Sequence, residues 1–388
     1  MITLQQDLLQ AALNAVTRAS AKNSLQAAFA LVQLNVTTDG ILHLSCFNGE
    51  TAARATLNVD CNEDLAVCVD AATFKAVVET LAGSIRLHID GTALVIQGAS
   101  TRTSLRIVDE ALPMLDENDL HPLSTCTGST FRSLLRVLPF ASTDESRAIL
   151  QVVHLMLDQT QTVALAADGY TAGQVLEVLE GPRDSIAISL PINSVRLLSS
   201  LIEERDTVRM GMIGANRALF QISNAESSKN LMLATVTVDG NFPAAQIKTL
   251  IGDARSSAVA TLQIQQASLL QSIRMVNAMG TQSTFLKVSN AAIKIASAET
   301  ETGQARNVLE GTAGGDNAQA WLSAMYLKRA AEAIKGELTL RITSNSKPLM
   351  IEAGNFASVI MPMLSDGFKD PFPEDEAIAI SLPEMAMA

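Results

Sequence analysis

Apolar residues return every three or four positions over residues 5–20, 128–142 and 265–280, the period of an amphipathic helix. Each stretch carries an arginine toward its C-terminal end and stops at small or polar residues. The period then changes to two. Residues 31–47, 153–169 and 285–299 alternate apolar and polar around a central turn, as half-buried hairpins do. A third strand follows at 51–59, 171–179 and 302–311. A second helical pattern covers 71–83, 191–204 and 321–336, with Pro191 suited to a first helical turn. Three more strands close each unit, the last over 357–364. The pattern predicts an α+β chain built three times from helix–βββ–helix–βββ, each copy being two smaller helix-plus-three-strand motifs, with a repeat of roughly 120 residues.

Boundaries are expected near residues 120–123 and 252–256. That gives domains 1–122, 123–253 and 254–364, and leaves 365–388 outside the repeat. This remainder holds Asp366-Gly367, Pro371, Pro373 and Glu374-Asp375-Glu376, and reads as a flexible or loosely docked acidic tail. The final strand has an unusual end. Val359 and Ile360 are β-branched, Pro362 stops the ladder because it has no N–H, and the apolar Met363 and Leu364 come after the stop.

Composition changes this picture little. The chain has 388 residues, 48% hydrophobic and 18% charged, which suits a core-rich multidomain protein. Cys46, Cys61, Cys68 and Cys126 form no C-x-x-C pair, and His43, His88, His121 and His154 are scattered, so reduced thiols and packed histidines are expected, not a metal site. Residues 1–7 carry neither a basic region nor an apolar run, and charged or polar residues interrupt every apolar stretch, so the expected location is cytoplasmic. No phosphate-binding, dinucleotide, zinc-protease or nucleophile-elbow motif occurs, and Gly314-Gly315-Asp316 reads as a loop. No enzyme activity and no cofactor are expected. The net charge of −12 argues only weakly against nucleic acid, because local patches decide binding.

Several stretches carry a family resemblance. Ser142-Thr143-Asp144-Glu145-Ser146-Arg147-Ala148-Ile149-Leu150 precedes Ala166-Ala167-Asp168-Gly169-Tyr170 in the middle repeat. Val238-Asp239-Gly240-Asn241-Phe242-Pro243 follows, and Val359-Ile360-Met361-Pro362-Met363-Leu364 ends the third repeat. Their order and spacing over residues 1–364 resemble the bacterial DNA sliding clamps, the β subunits of DNA polymerase III. The resemblance implies two chains closed head to tail into a ring, with helices lining the hole and sheets outside. It implies a processivity factor that encircles duplex DNA without reading sequence. Candidate lining residues are Arg18, Lys22, Lys75, Arg132, Arg136, Arg196, Arg274, Lys328, Arg329 and Lys335.

The resemblance also implies a greasy groove for short peptides of the Q-L-x-L-F kind. Matching motif positions are Leu150, Gly169, Tyr170, Ala172, Pro243, Val359, Ile360, Met361, Pro362 and Met363. Implied partners are the polymerase III α subunit, the clamp loader, other polymerases, ligase and mismatch repair proteins. The chain departs from the family where Thr171-Ala172 replaces the usual Arg-Leu, where Ala244-Ala245-Gln246-Ile247 replaces basic residues, and where Leu25-Gln26-Ala27-Ala28 stands in the first repeat. Ala379-Ile380-Ser381-Leu382-Pro383 resembles the clamp-binding peptide and suggests self-occlusion by the tail. A divergent clamp serving another polymerase and a protein-only modular scaffold are the alternative readings.

Overall fold

Short strands run straight into the helices, and this junction sets the architecture. The computed structural model describes residues 1–21, 26–112, 120–179, 181, 185–364 and 369–372. Helix α1 (Gln6–Val16) follows the strand Ile2–Gln5, α2 (Ala71–Glu79) follows Leu65–Asp70, and α3 (Gly128–Leu134) follows Leu120–Thr127. Likewise α4 (Ile192–Leu201) follows Ile186–Pro191. Helix α5 (Ala244–Ser256) has no such strand, whereas α6 (Gln266–Ala278) follows Ala260–Gln265 and α7 (Ala324–Glu332) follows Ala318–Ser323. The repeating motif is therefore β-α-β-β-β. The sequence pattern missed the leading strands because no glycine or proline separates most of them from the helix. At two of these junctions the strand's last side chain caps the helix: Asp70 accepts the Thr73 N–H at 2.7 Å, and Thr127 Oγ1 accepts the Thr130 N–H at 3.2 Å.

The structure differs from the sequence pattern at several places. Residues 120–123, where a boundary is expected, begin a strand, with a register shift between Pro122 and Ser124. Pro191 ends a strand in extended backbone, and its helix begins one residue later. The middle first helix tightens into the 3₁₀ segment Leu135–Phe140 around Pro139. Gly314 and Gly315 lie in the strand Gly311–Gly315, and Trp321 lies in a strand, not a helix. Residues 252–256 form the last turns of α5, because Ile247, Ile251 and Ala254 bury one face and carry the helix through Gly252.

The chain divides into two compact units, one holding Met1–Asp168 and Gln174–Pro243, the other Gly169–Gly173 and Ala244–Ala388. In the first unit an eight-stranded sheet runs unbroken through the first two repeats: Leu120–Thr127, Thr207–Ile213, Arg217–Asn224, Lys229–Val236, Thr51–Asn58, Ile41–Phe47, Leu31–Thr37 and Leu65–Asp70. The seam is antiparallel, from Leu231 opposite Ala55 to Thr235 opposite Thr51. Beside it, Ser194 Oγ of α4 donates to Glu50 Oε1 at 2.6 Å and lies 2.7 Å from the hydroxyls of Thr51 and Thr235. Burying these hydroxyls costs little because each finds a partner. The unit also holds a five-stranded sheet that ends on the strand Arg102–Arg106, and a row of antiparallel strands in the order Ile186–Pro191, Val152–Leu157 and Thr162–Ala167. Gly128 is fixed sterically, since a Cβ there meets the Glu203 carbonyl oxygen at 1.8 Å.

The second unit has a sheet ordered Phe356–Ile360, Leu349–Ala353, Glu337–Ile342, Ala260–Gln265 and Gly311–Gly315. Its other sheet is ordered Arg306–Leu309, Ala292–Ser297, Ser283–Ser289 and Ala318–Ser323. Helices α6 and α7 bury Leu269, Ile273, Val276, Leu327, Ala330 and Ala331. Helix α5 is pinned by Arg255, which donates to Glu352 at 2.9 Å, and Arg341 holds the same carboxylate from the neighbouring strand at 2.6 Å. Burial alone raises the Glu352 carboxyl, but the two guanidiniums outweigh it and hold it below the usual range. Of the expected tail, Lys369–Phe372 is docked: Phe372 is only 2% exposed. The thiols are packing groups. Cys46, Cys68 and Cys126 are buried, and burial pushes Cys126 up to about 11.

Candidate functional site

The basic residues sit on and around the helices, but most are tethered. Three cations converge on the C-terminal end of α4, where backbone carbonyls are left over. Arg18 donates to the Ser200 carbonyl at 3.0 Å, Lys229 to that of Leu201 at 2.6 Å, and Arg132 to that of Ile202 at 2.9 Å. Lys229 also meets the fully buried Asp206 at 2.7 Å. On α2 and α7, Lys75 pairs with Glu79 at 3.8 Å and Lys328 with Glu332 at 3.6 Å, both one turn apart. Arg196 donates to Asn193 on its own helix. Arg274 and Lys335 are exposed, with Lys335 just beyond α7. Arg136 is half-buried on the 3₁₀ segment, and that burial lowers its pKa against the pull of Glu177. Lys22 lies outside the described residues. Of these helix-face cations, Lys75 and Lys328 are partly neutralised by carboxylates on their own helices, whereas Arg18, Arg132 and Arg196 are held by uncharged acceptors.

The groove residues fall into two groups. In the second unit, Gly169, Tyr170 and Ala172 lie with the end of the last strand, since the Met361 N–H donates to the Tyr170 carbonyl at 2.9 Å. Tyr170 is 55% exposed and stacks on Tyr326 of α7, with ring centroids 6.0 Å apart. The Arg329 guanidinium stands 5.2 Å from the Tyr326 ring and donates to Thr171 Oγ1 at 3.3 Å. Met361 is 40% exposed, Pro362 and Met363 are half-buried, and Leu364 is exposed. Ala172, Val359 and Ile360 are core and hold this surface from below. Arg329, expected with the helix-face cations, therefore belongs to the tyrosine pair. Tyr326 was missed by the sequence reading, although the chain has only two tyrosines and helical spacing puts this one on the exposed side of α7.

Leu150 and Pro243 lie in the first unit. Phe242 stacks on His154 at 4.7 Å, and His154 bonds Ser189 at 2.9 Å. Gly240, with φ of 140°, leaves room for Ile149: an added Cβ falls 2.9 Å from its Cδ1. Leu150 and Pro243 are both half-buried. Residues 379–383 lie outside the described residues.

No family model matches the chain. Two curated relatives from Streptococcus pneumoniae strains, both beta sliding clamps, are 26% and 25% identical over 257 residues, which is 62% of this chain. The match spans 65% of the length of each of them. The beta sliding clamp of Bacillus subtilis is 21% identical over 311 residues, covering 77% of this chain and 79% of the relative. Among solved structures, the DNA polymerase sliding clamp from Bacillus subtilis superposes with a TM-score of 0.84 at 18% identity, over 94% of this chain and 99% of that one. The fold is that of a bacterial DNA sliding clamp. The DNA polymerase III β subunit from Pseudomonas aeruginosa agrees, at a TM-score of 0.83 and 17% identity over 94% and 100% of the two chains. The clamp fold accounts for the six β-α-β-β-β motifs, and α5 is, among the described residues, the one α-helix that stands outside them.

Proposed function

We propose that the chain is a replication sliding clamp: a non-catalytic, cytoplasmic processivity factor of three clamp domains, two copies of which close around duplex DNA and tether a polymerase. The observation that carries this reading is the sixfold β-α-β-β-β repeat superposing on solved clamps over 94% of the chain. Two outer strands suit ring closure. Arg102–Arg106 ends one sheet of the first unit and Arg306–Leu309 ends one sheet of the second. The opposite edge of the latter sheet is already taken, because the Met363 N–H donates to the Trp321 carbonyl at 2.7 Å. Pairing the two outer strands between copies covers edges that otherwise invite aggregation.

Helix-face cations that are partly neutralised suit sliding, since affinity for phosphate grows with each free cation. Arg18, Arg132, Arg196 and Arg274 are the proposed contacts, with Lys75, Lys328 and Lys335 adding field. The partner groove is proposed to use Tyr170, Tyr326, Met361, Pro362, Met363 and Arg329 in the second unit. Adaptable methionines suit several peptide partners, the polymerase α subunit, clamp loader and repair proteins among them. One observation favours a divergent clamp with its own partner set: the guanidinium missing at Thr171 is supplied from α7 by Arg329.

The test is topological. Loaded protein is expected to stay on nicked circular DNA and leave on linearisation, and its solution mass to be twice 41.1 kDa. Retention that survives linearisation, or a monomer at working concentration, overturns the ring.

A further inference from the structure

The outer face of the four-stranded sheet carries aromatic and basic side chains together. Phe285 and Trp321 are opposite one another on neighbouring strands, with ring centroids 5.0 Å apart. Lys287 and Lys294 are also directly opposite, and Arg306 faces Ala296 on the next strand. Two lysines opposed across a ladder repel one another unless an anion sits between them. Here the chain supplies one. Lys287 Nζ pairs with the Asp370 carboxylate and also donates to the Phe372 carbonyl at 3.0 Å.

A single ammonium therefore measures the spacing of a carboxylate and a backbone oxygen two residues apart. The Asp370 carboxylate also accepts the Phe372 N–H at 2.8 Å, and Pro371 fixes its own φ, so the turn is pre-organised. The Phe372 ring stacks on Phe285 with centroids 6.4 Å apart and joins the buried cluster of Phe285, Ala296 and Trp321. Lys294 and Arg306 stand 5.6 and 6.0 Å from the centre of its ring. These are features of a receptor and its ligand: an apolar slot for one ring, a lysine for the acid two residues earlier, and cations around the rim.

We propose that this face is a second peptide site, separate from the tyrosine groove, that recognises the acidic-aromatic segment Asp-Pro-Phe, and that the chain's own Asp370-Pro371-Phe372 fills it in cis. A partner segment of the same chemistry gains the site only when the tail leaves. Met363 packs against the same cluster and is held independently of the tail by its N–H, which the Trp321 carbonyl accepts. The inference stands on these contacts and does not depend on the clamp reading.

Trp321 is the chain's one tryptophan, so its fluorescence reports on the site. The full-length Asp370→Ala/Phe372→Ala variant is expected to show Trp321 more open to acrylamide quenching than the native chain. Titration with the synthetic peptide Lys-Asp-Pro-Phe-Pro-Glu-Asp-Glu is expected to restore protection saturably. The same peptide with alanine for phenylalanine is expected to bind at least about tenfold more weakly, the loss of one buried ring. The native chain is expected to take up neither peptide at those concentrations. Equal quenching of native chain and variant, equal affinity for the two peptides, or peptide uptake by the native chain each overturns the proposal. If circular dichroism shows the double variant unfolded, Lys287→Glu in the full chain decides: quenching that stays native overturns cis docking.

Discussion

The second unit carries two aromatic pairs, each with cations nearby, and they are put to opposite use. Tyr170 and Tyr326 stack with more than half of Tyr170 exposed and Arg329 beside them. Phe285 and Trp321 lie under a third ring from the same chain, and nothing of the cluster is more than 9% exposed. The hydroxyls explain part of the difference. A tyrosine can leave its polar tip in water, whereas burying phenylalanine rings is favourable outright. The rest is geometric: a tail reaches one pair and a bare strand end leaves the other open. On the proposed reading, the exposed platform serves binding and the covered one serves stability.

Substitutions that separate the two contributions test this contrast. The largest expected effect is at Tyr170. Replacing it with alanine is expected to weaken binding of a Q-L-x-L-F peptide by about 2 kcal/mol, roughly thirtyfold, as for a central hot spot. Isothermal calorimetry measures this, while the urea midpoint is expected to stay put because Tyr170 is mostly exposed. Loss of stability instead would place Tyr170 in the core. Phe372→Ala is the mirror experiment. Urea unfolding is expected to show about 1.5 kcal/mol lost, the burial of one ring, with groove affinity changed by less than about threefold.

Lys287→Met gives a smaller effect whose sign is diagnostic. In the full chain it removes two charge-assisted bonds and is expected to cost about 1 kcal/mol. In the Asp370→Ala/Phe372→Ala background it relieves the repulsion with Lys294 and is expected to stabilise. Destabilisation in both backgrounds would mean that the lysine serves the sheet, not the tail.

The smallest effect is a pH dependence shared by both regions, through the strand that carries Glu352. Its carboxyl is held low by Arg341 and Arg255, so the stabilisation is fully present above the ordinary glutamate range. It fades as pH falls from that range through the lower value the carboxyl has in the folded chain. Urea midpoints at descending pH are expected to converge for the native chain and Glu352→Gln. Parallel curves would remove the carboxylate from the balance.

Much of the fold was legible without coordinates. The three amphipathic first helices and their hairpins appear where the apolar period changes, because helices and half-buried strands leave different spacings in the chain. The leading strands and α5 were not legible. Ala260–Gln265 runs into α6 with no turn residue to mark the change, and a boundary is expected at Gly252 although three buried side chains carry α5 through it. In the candidate site, Tyr170 and Met361–Met363 were readable from motif order. Tyr326 and Arg329 were not read into it, since they come from a helix more than 150 residues along the chain from Thr171.

What the sequence alone determined is local: the sixfold motif, its α+β character and the sticky end of the last strand follow from the order of apolar and polar residues. What only the tertiary structure decided is where distant residues meet. The strand 229–236 joins the strand 51–58, α4 has its carbonyls met by arginines from two other helical segments, and Phe372 finds Trp321. The physical reason is that backbone spacing records which face a residue presents, whereas the partner for that face depends on how the folded elements come together.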